Sequence, residues 1–561
     1  MARVALAIAL LAACAHPHPP SPAAPRPATP AATPATPAAP STADAGTLEL
    51  TLKGKPFGTE TFSIERDADG YVLRSEVQLT FGSAMRLMDG ELRVDAAWKP
   101  KAGRFRDVKD GGTISVLAGA PLVLRGTAPF APPSERTASR DIELFLADNT
   151  MSHFAPLCAI AAPAVRVGFP GMDVTVGADR GVEGSALTRR RVDLGGTMRV
   201  LLACERGLLV GVEVPLVGLK AVRPGRAAEV DALAEVEGTK PALAEGLIEA
   251  PRTVRVRASR DGAEAELACS LVRPAASDAG ARPAVILLTG SGAQDRDGDA
   301  VGPGGVKSGL LKVLASALGE AGVVSLRCDD RGTAASTGTY GEATLDTFIG
   351  DAAAMLAALR REPGVDRRRL VVIGHSEGAL VATHLAARER RGVARIALLA
   401  GPGRDVDVVL LEQIERTLTA AGLTPEEVAV ALAHHREAFA AIRAGASLPE
   451  TAEAREWAGG EAWLRSHFKR DVLATAATLD RVGVLVAQGE VDRQVTTVDA
   501  TALVTAFRAG GNPDVTLARY ASLDHNFAHS ETGAVADYVD GERAIDRAFV
   551  ADVVAFVTRA R

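Results

Sequence analysis

The sequence is poor in several features that define specialised protein classes. Only five of its 561 residues are cysteine and 4% are aromatic. Five cysteines are too few for a disulfide scaffold, and none forms a C-x-x-C pair, which excludes a zinc ribbon and a thioredoxin-like dithiol. Lys and Arg total 63 against 69 acidic residues, a net charge of −6, so no basic excess is available to bind nucleic acid.

The overall composition is that of an ordinary globular protein. Hydrophobic residues make up 47% and charged residues 24%, which excludes a fully disordered chain and a polytopic membrane protein. A length of 561 residues leaves room for two to four domains of about 150 residues each.

The amino terminus is typical of an export signal. Arg3 precedes the apolar run Val4–Ala13, which is too short to span a bilayer but suits a signal peptide. The run ends in L-A-A-C at residues 11–14, which resembles the lipobox of bacterial lipoproteins. We therefore expect residues 1–14 to be a lipoprotein-type signal with Cys14 as the lipidation site. The alternative is a plain small-residue cleavage site beside an incidental cysteine.

This signal implies a location. Lipidation at Cys14 would anchor an exported protein to the bacterial cell envelope. Ala15 follows, not the aspartate typical of inner-membrane retention, which favours the outer membrane or its periplasmic face. Residues 15–45 contain ten prolines among Ala, Thr and Ser, and this composition predicts an extended, unpacked linker.

The remainder divides near residue 250. Residues 46–225 have mostly period-two alternation, and Asp69-Gly70 between apolar runs is a hairpin signal. These features predict an antiparallel β-rich domain, a curved sheet or barrel, in which His153 is interpreted as structural. A disulfide between Cys158 and Cys204 is left open. An Ala- and Glu-rich linker is expected at 226–250.

Residues 251–561 alternate between strands and helices. Continuous apolar strands such as Val285–Thr289 and Leu370–Ile373 are separated by helical stretches, which predicts a mostly parallel sheet covered on both faces. Residues 402–478 interrupt this alternation, are rich in Ala, Glu, Arg and Leu, and are predicted to form a helical lid. The expected class is α/β, preceded by the β-rich domain.

One strand runs directly into G-H-S-E-G at residues 374–378, with a helix following. This strand–turn–helix context is the one that a G-x-S-x-G nucleophile elbow requires, which makes Ser376 the candidate nucleophile. In that arrangement the acid and the base follow later strands, in the order Ser, acid, His. Asp492 is the preferred acid, with Glu490 as the rival. His525 is the preferred base over His529.

Two backbone N–H groups are needed to stabilise the oxyanion. One is expected from Glu377, directly after the nucleophile. The other is expected from the loop after strand 285–289, which reads G-S-G, with Ser291 as the candidate donor.

Taken together, these stretches resemble the α/β-hydrolase superfamily, and in particular the bacterial serine esterases marked by G-S-G-x-x-D-R-D. That stretch lies at 290–297, and the L-R-x-D-x-R-G-x-G-x-S-x-G stretch of the same group is matched at 326–338. G-H-S-E-G, Q-G-E-x-D and L-x-H-x-F follow in order. Ala293, Ala334 and Ala379 stand where Pro, Gly and Gly are usual, which affects loop shape and removes no catalytic group.

The resemblance implies a carboxylesterase with the triad Ser376, Asp492 and His525, acting on a small-molecule ester without a metal or organic cofactor. Two alternatives stay open: a serine peptidase or thioesterase on the same fold, and a cell-envelope binding protein with a vestigial hydrolase domain. The sequence does not define the acyl chain, the role of the β-rich domain or the oligomeric state.

Overall fold

The computed structural model describes residues 42–559 except for short gaps. These gaps are 53, 82–83, 109–110, 118–122, 129–130, 138–143, 146–149, 160–166, 169–173, 177–179, 182–185, 195–197, 215–217, 231–241, 259–261, 276–279, 302–305, 421–422 and 540–542. Cys14, the predicted signal and most of the proline-rich segment therefore lie outside the described residues. Among the helices of the described ranges, none is long and apolar enough to cross a membrane.

The amino-terminal part is an antiparallel sheet, as the period-two alternation predicts. Its strands follow the order β11-β13-β14-β15-β16-β1-β2-β3-β4-β5-β6-β7-β8, with β12 on β13, and β9 pairs with β10 separately. The strands are β1 (Thr42–Leu52), β2 (Lys55–Asp67), β3 (Gly70–Phe81), β4 (Ala84–Asp95), β5 (Pro100–Asp107), β6 (Thr113–Leu117), β7 (Val123–Ala128), β8 (Ala131–Thr137), β9 (Leu144–Phe145), β10 (Val167–Gly168), β11 (Val174–Val176), β12 (Arg180–Gly181), β13 (Thr188–Leu194), β14 (Met198–Glu205), β15 (Leu208–Val214) and β16 (Leu219–Val222).

Alternate residues of these strands form one apolar core. Leu48 and Leu50 of β1 are buried with Phe62 and Ile64 of β2, as the pleat requires. A short helical segment packs into the same core: a 3-10 turn at Met151–Phe154 and then α1 (Pro156–Ala159). Cys158 of α1 is joined to Cys204 of β14, so the disulfide that the sequence left open is present. The first strand begins at Thr42, four residues inside the predicted linker.

A second sheet of eight strands carries the carboxyl-terminal half, in the order β17-β18-β20-β19-β21-β22-β23-β24. β18 is antiparallel to both of its neighbours, and the other pairs are parallel. These strands are β17 (Leu247–Val256), β18 (Ala265–Pro274), β19 (Arg282–Leu288), β20 (Val324–Cys328), β21 (Val365–His375), β22 (Arg395–Leu399), β23 (Gly483–Gly489) and β24 (Val515–Tyr520).

Helices cover both faces of this sheet, which explains why its strands are apolar without alternation. Leu370, Val371, Val372 and Ile373 of β21 are all fully buried, two on each face. The helices outside the insertion are α2 (Leu310–Glu320), α3 (Leu345–Leu359), α4 (Glu377–Arg388), α10 (Thr497–Ala509) and α11 (Arg547–Thr558). Strand order and layering are those of the α/β-hydrolase fold that the sequence analysis expects for this half.

Residues 402–478, between β22 and β23, form what we term the helical insertion. Its helices are α5 (Val406–Ala420), α6 (Pro425–Ala444), α7 (Ala452–Arg455), α8 (Glu461–Phe468) and α9 (Val472–Ala476). They have an apolar cluster of their own, which includes Ile414, Leu418, Phe439 and Trp457. Thr424 begins α6 with a capping box with Glu427.

A second disulfide, Cys269–Cys328, was not anticipated from the sequence. The two cysteines lie directly opposite each other on the antiparallel strands β18 and β20, with Cα atoms 3.9 Å apart. It fixes the end of β20, and the loop after this strand supports the candidate site.

Candidate active site

Ser376 lies in a sharp turn between β21 and α4. Its backbone has φ +54° and ψ −119°, a conformation that non-glycine residues rarely adopt. The Ser376 N–H donates to the carbonyl of Leu399 at 2.8 Å, and Ala379 N–H donates to the Ser376 carbonyl at 2.9 Å. The strained turn is therefore held from both sides, and Ser376 stays partly exposed among buried neighbours.

The two glycines of the motif are required by close backbone contacts. A Cβ on Gly374 would lie 2.0 Å from the carbonyl oxygen of Gly378. A Cβ on Gly378 would lie 2.4 Å from the carbonyl oxygen of Thr289. Because backbone atoms cannot rotate away as side chains do, both positions admit only glycine in this geometry.

The structure brings the candidate base and acid together. His525 follows β24 and Asp492 follows β23, and His525 Nδ1 donates to Asp492 Oδ2 at 2.8 Å. Both side chains are buried. Burial lowers the pKa of His525, but the charge of Asp492 and its hydrogen bond outweigh burial, so the net pKa is raised above 6.5. With Nδ1 as donor, Nε2 is left as the basic nitrogen.

Asp492 is itself held by three further donors. Its Oδ1 accepts from the backbone N–H of Gln494 at 2.8 Å and of Val495 at 3.0 Å. Its Oδ2 accepts from Gln488 Nε2 at 3.1 Å. Four donors fix the position of this carboxylate and, through it, the orientation of the imidazole.

His375 ties the nucleophile turn to the loop that carries the base. Its Nε2 donates to the backbone carbonyl of His525 at 2.9 Å, and the two rings are 4.8 Å apart between centroids. Burial lowers the pKa of His375 to about 3, so its ring is neutral. Its role is to hold the His525 loop against the nucleophile turn, and it is not a second base.

The rival residues are engaged elsewhere. Glu490 pairs with Arg519 on the surface, with Nε–Oε1 at 3.1 Å. His529 has an exposed side chain whose Nδ1 lies 2.9 Å from Ser522 Oγ and whose Nε2 lies 3.3 Å from Asp546. Neither side chain contacts the Asp492–His525 pair.

The candidate oxyanion donors border the same turn. The loop after β19 is folded by Gln294, whose Oε1 accepts from Gly290 N–H at 3.2 Å and whose Nε2 donates to the Ser291 carbonyl at 3.0 Å. Gly290 N–H is thus occupied, and Ser291 N–H is the next along the loop. Glu377 is the first residue of α4, where backbone N–H groups have no acceptor within the helix.

A neutral acid supports this loop. Asp330 Oδ1 accepts from Thr289 Oγ1 at 2.6 Å, and Oδ2 accepts from Gln294 N–H at 2.9 Å. Burial, with smaller contributions from the charges of Glu377 and Asp351, raises the pKa of Asp330 to about 8. A cavity of about 50 Å³ adjoins these residues.

Two further ionic contacts hold the 329–338 loop. Arg296 Nη2 donates to Asp329 at 2.6 Å, and Arg331 Nε donates to Asp351 at 2.8 Å. Asp329 and Arg331 therefore act as structural pairing residues of this loop. Ala334, where the esterase pattern has glycine, adopts φ +48°, the left-handed region that glycine favours.

One contact of the site was missed by sequence reasoning. The Glu377 side chain is buried, and its Oε1 accepts from Trp463 Nε1 at 2.7 Å and from His467 Nε2 at 2.8 Å. Both donors lie on α8 of the helical insertion. Nothing near His467 in the sequence indicates a partner 90 residues away.

One family model matches part of the carboxyl-terminal half of the chain. The family model described as serine aminopeptidase, S33, matches residues 304–532, which include the nucleophile turn, the insertion and both loops of the acid–base pair. The match supports a serine hydrolase of the α/β-hydrolase superfamily. No curated protein matches the chain.

Several solved structures are similar to part of the chain. An esterase from Pyrococcus furiosus is 18% identical, with 57% of this chain and 97% of the other covered and a TM-score of 0.35. Est1E from Butyrivibrio proteoclasticus, solved with ferulic acid, is 18% identical, with 54% and 99% covered and a TM-score of 0.34. A Rhizomucor miehei esterase is 17% identical, with 59% and 88% covered and a TM-score of 0.36.

Proposed function

We propose that the chain is a carboxylesterase-type serine hydrolase that works through Ser376, His525 and Asp492. The observation that carries the proposal is the strained serine turn combined with a buried His–Asp pair on the loops after β23 and β24. A serine hydroxyl is a weak nucleophile unless a base takes its proton, and the base is effective only if a carboxylate orients it.

The reaction proceeds in two halves. Ser376 Oγ attacks the ester carbonyl while His525 Nε2 accepts its proton. The N–H groups of Ser291 and Glu377 stabilise the oxyanion of the tetrahedral intermediate. The His525 imidazolium, stabilised by Asp492, protonates the departing alcohol, and an acyl-enzyme remains. Water attacks the acyl group while His525 Nε2 takes its proton, and the imidazolium then protonates Ser376 Oγ as the acyl–oxygen bond breaks and the acid leaves.

The ester preference is supported by the motif set at 290–297, 326–338 and 374–378, which resembles that of bacterial serine esterases. The helical insertion is proposed to act as a lid that shapes the acyl pocket. The lipobox-like L-A-A-C ending at Cys14 supports export and anchoring to the cell envelope. Two disulfides suit such an oxidising compartment.

A second candidate is an aminopeptidase, which the description of the matching family model favours. The two functions share the acyl-enzyme mechanism and differ in the leaving group. Kinetics on p-nitrophenyl acyl esters, thioesters and aminoacyl p-nitroanilides will rank them. Faster turnover of the anilides than of every ester would overturn the esterase proposal.

The mechanism is tested with Ser376→Ala. We expect hydrolysis of a p-nitrophenyl acyl ester to be abolished and labelling by a fluorophosphonate probe to disappear, with an unchanged far-UV circular dichroism spectrum. Unchanged turnover in this variant would remove the mechanism. Absence of labelling in the parent protein would favour the vestigial-hydrolase alternative.

A further inference from the structure

Glu377, the residue after the nucleophile, has a backbone N–H and a side-chain carboxylate with separate roles. Its backbone N–H faces the reaction as a proposed oxyanion donor. Its carboxylate is buried, with Oε1 bound by the Trp463 and His467 side chains. A buried carboxylate is costly unless it is hydrogen-bonded, so these two donors fix where the Glu377 side chain sits.

The two donors form a rigid unit. Trp463 and His467 are four residues apart on α8, so they project from the same face of the helix, and their rings lie 4.5 Å apart between centroids. α8 is fixed in turn by Ser466, whose Oγ accepts from Leu345 N–H at 2.9 Å and donates to the Trp463 carbonyl at 2.6 Å. The hydrogen bond between α3 and α8 therefore fixes where the two donors lie and, through them, where the Glu377 carboxylate lies.

Oxyanion stabilisation depends strongly on distance. A donor must lie about 2.7–3.1 Å from the oxyanion, and loss of one donor typically costs about 10²- to 10³-fold in kcat. Because the carboxylate and the N–H belong to one residue at the first turn of α4, a shift of the side chain anchor moves the donor.

We propose that Trp463 and His467 of the helical insertion are positioning residues that hold the Glu377 N–H in place as an oxyanion donor. The inference rests on the proposed esterase function. It gives the insertion a role in the rate of the chemical step, in addition to any role in substrate fit.

A matched pair of substitutions tests this proposal. Trp463→Phe removes the N–H that binds Glu377. Trp457→Phe removes an equivalent buried N–H in the same insertion, where Trp457 Nε1 donates to His435 Nδ1 at 3.0 Å. We expect Trp463→Phe to lower kcat on a p-nitrophenyl ester about 10-fold with KM unchanged, because the lost interaction acts only in the transition state. Trp457→Phe should keep the parental kcat.

His467 provides the rescue experiment. His467→Ala should lower kcat at least as much as Trp463→Phe, and His467→Gln, which retains a side chain N–H, should restore most of the loss. Thermal unfolding of each variant checks the fold. If His467→Ala does not fold, the proposal is tested by the kcat values of the two tryptophan variants and of His467→Gln.

The outcomes separate this proposal from the proposed function. An esterase-active parent in which both tryptophan variants slow turnover equally, or in which Trp463→Phe raises KM alone, would overturn the positioning role and leave the esterase intact. A parent that neither hydrolyses esters nor reacts with the fluorophosphonate probe would overturn the function itself.

Discussion

Replacement of Asp492 by asparagine tests the acid–base pair most directly. The carboxylate accepts four hydrogen bonds, two backbone N–H groups at Oδ1 and the side chains of His525 and Gln488 at Oδ2. Asparagine has one acceptor oxygen. If that oxygen keeps the two backbone donors, the NH₂ group of the asparagine faces His525 Nδ1, which is also a donor.

The imidazole can relieve this conflict only by changing tautomer. Nδ1 then accepts from the amide, and the proton moves to Nε2, where it blocks proton transfer from Ser376. A wrong tautomer of this kind costs roughly 10⁴-fold in kcat, which is about 5.5 kcal/mol in the barrier. We expect that loss for Asp492→Asn with little change in KM.

The assay is steady-state hydrolysis of a p-nitrophenyl acyl ester, with thermal unfolding to verify the fold. Glu490→Gln is the matched control, because it makes the same chemical change two residues away on a surface carboxylate paired with Arg519. The reasoning is refuted if Asp492→Asn keeps more than about a tenth of the parental kcat, or if Glu490→Gln is equally damaging.

Three further predictions concern pH, packing and the disulfide. The pKa of His525 is raised above 6.5. Because the base acts in its neutral form, kcat/KM should increase with pH, with a midpoint above 6.5. In the Asp492→Asn variant this midpoint should move to lower pH. Gly378→Ala places a Cβ 2.4 Å from a backbone carbonyl oxygen. It should lower the free energy of unfolding by about 1–3 kcal/mol and abolish labelling by the fluorophosphonate probe. The control Gly280→Ala, which has open space around the added Cβ, should change neither. Joint replacement of Cys269 and Cys328 by serine opens a cross-link with a sequence separation of 59 and should cost about 4 kcal/mol in denaturant unfolding.

The elements that sequence reasoning located best are those defined by local patterns. The apolar strand Leu370–Ile373, the glycines on either side of Ser376 and the helix after them are all visible within 20 residues. The choice of Asp492 and His525 depended on fold-level chain order, which ranks loops but does not measure distances.

The features that were missed depend on long-range neighbours. Cys269 and Cys328 pair because β18 lies beside β20, while β19 lies on the far side of β20, and strand alternation alone does not give that order. The Glu377–His467 contact joins the nucleophile turn to a helix of the insertion, whose docking follows from tertiary packing. Helix α4 begins at Glu377, inside the G-H-S-E-G motif, because Ser376 itself occupies the cap position.

The carboxylate of Glu377 also constrains any exchange of the helical insertion. A transplanted insertion that lacks equivalents of Trp463 and His467 would leave that carboxylate buried without donors, a penalty of several kcal/mol. Such a chimera would therefore need a second change, a neutral side chain at position 377. Recombination between related enzymes is then expected to succeed only when the residue after the nucleophile and the segment 402–478 come from the same parent.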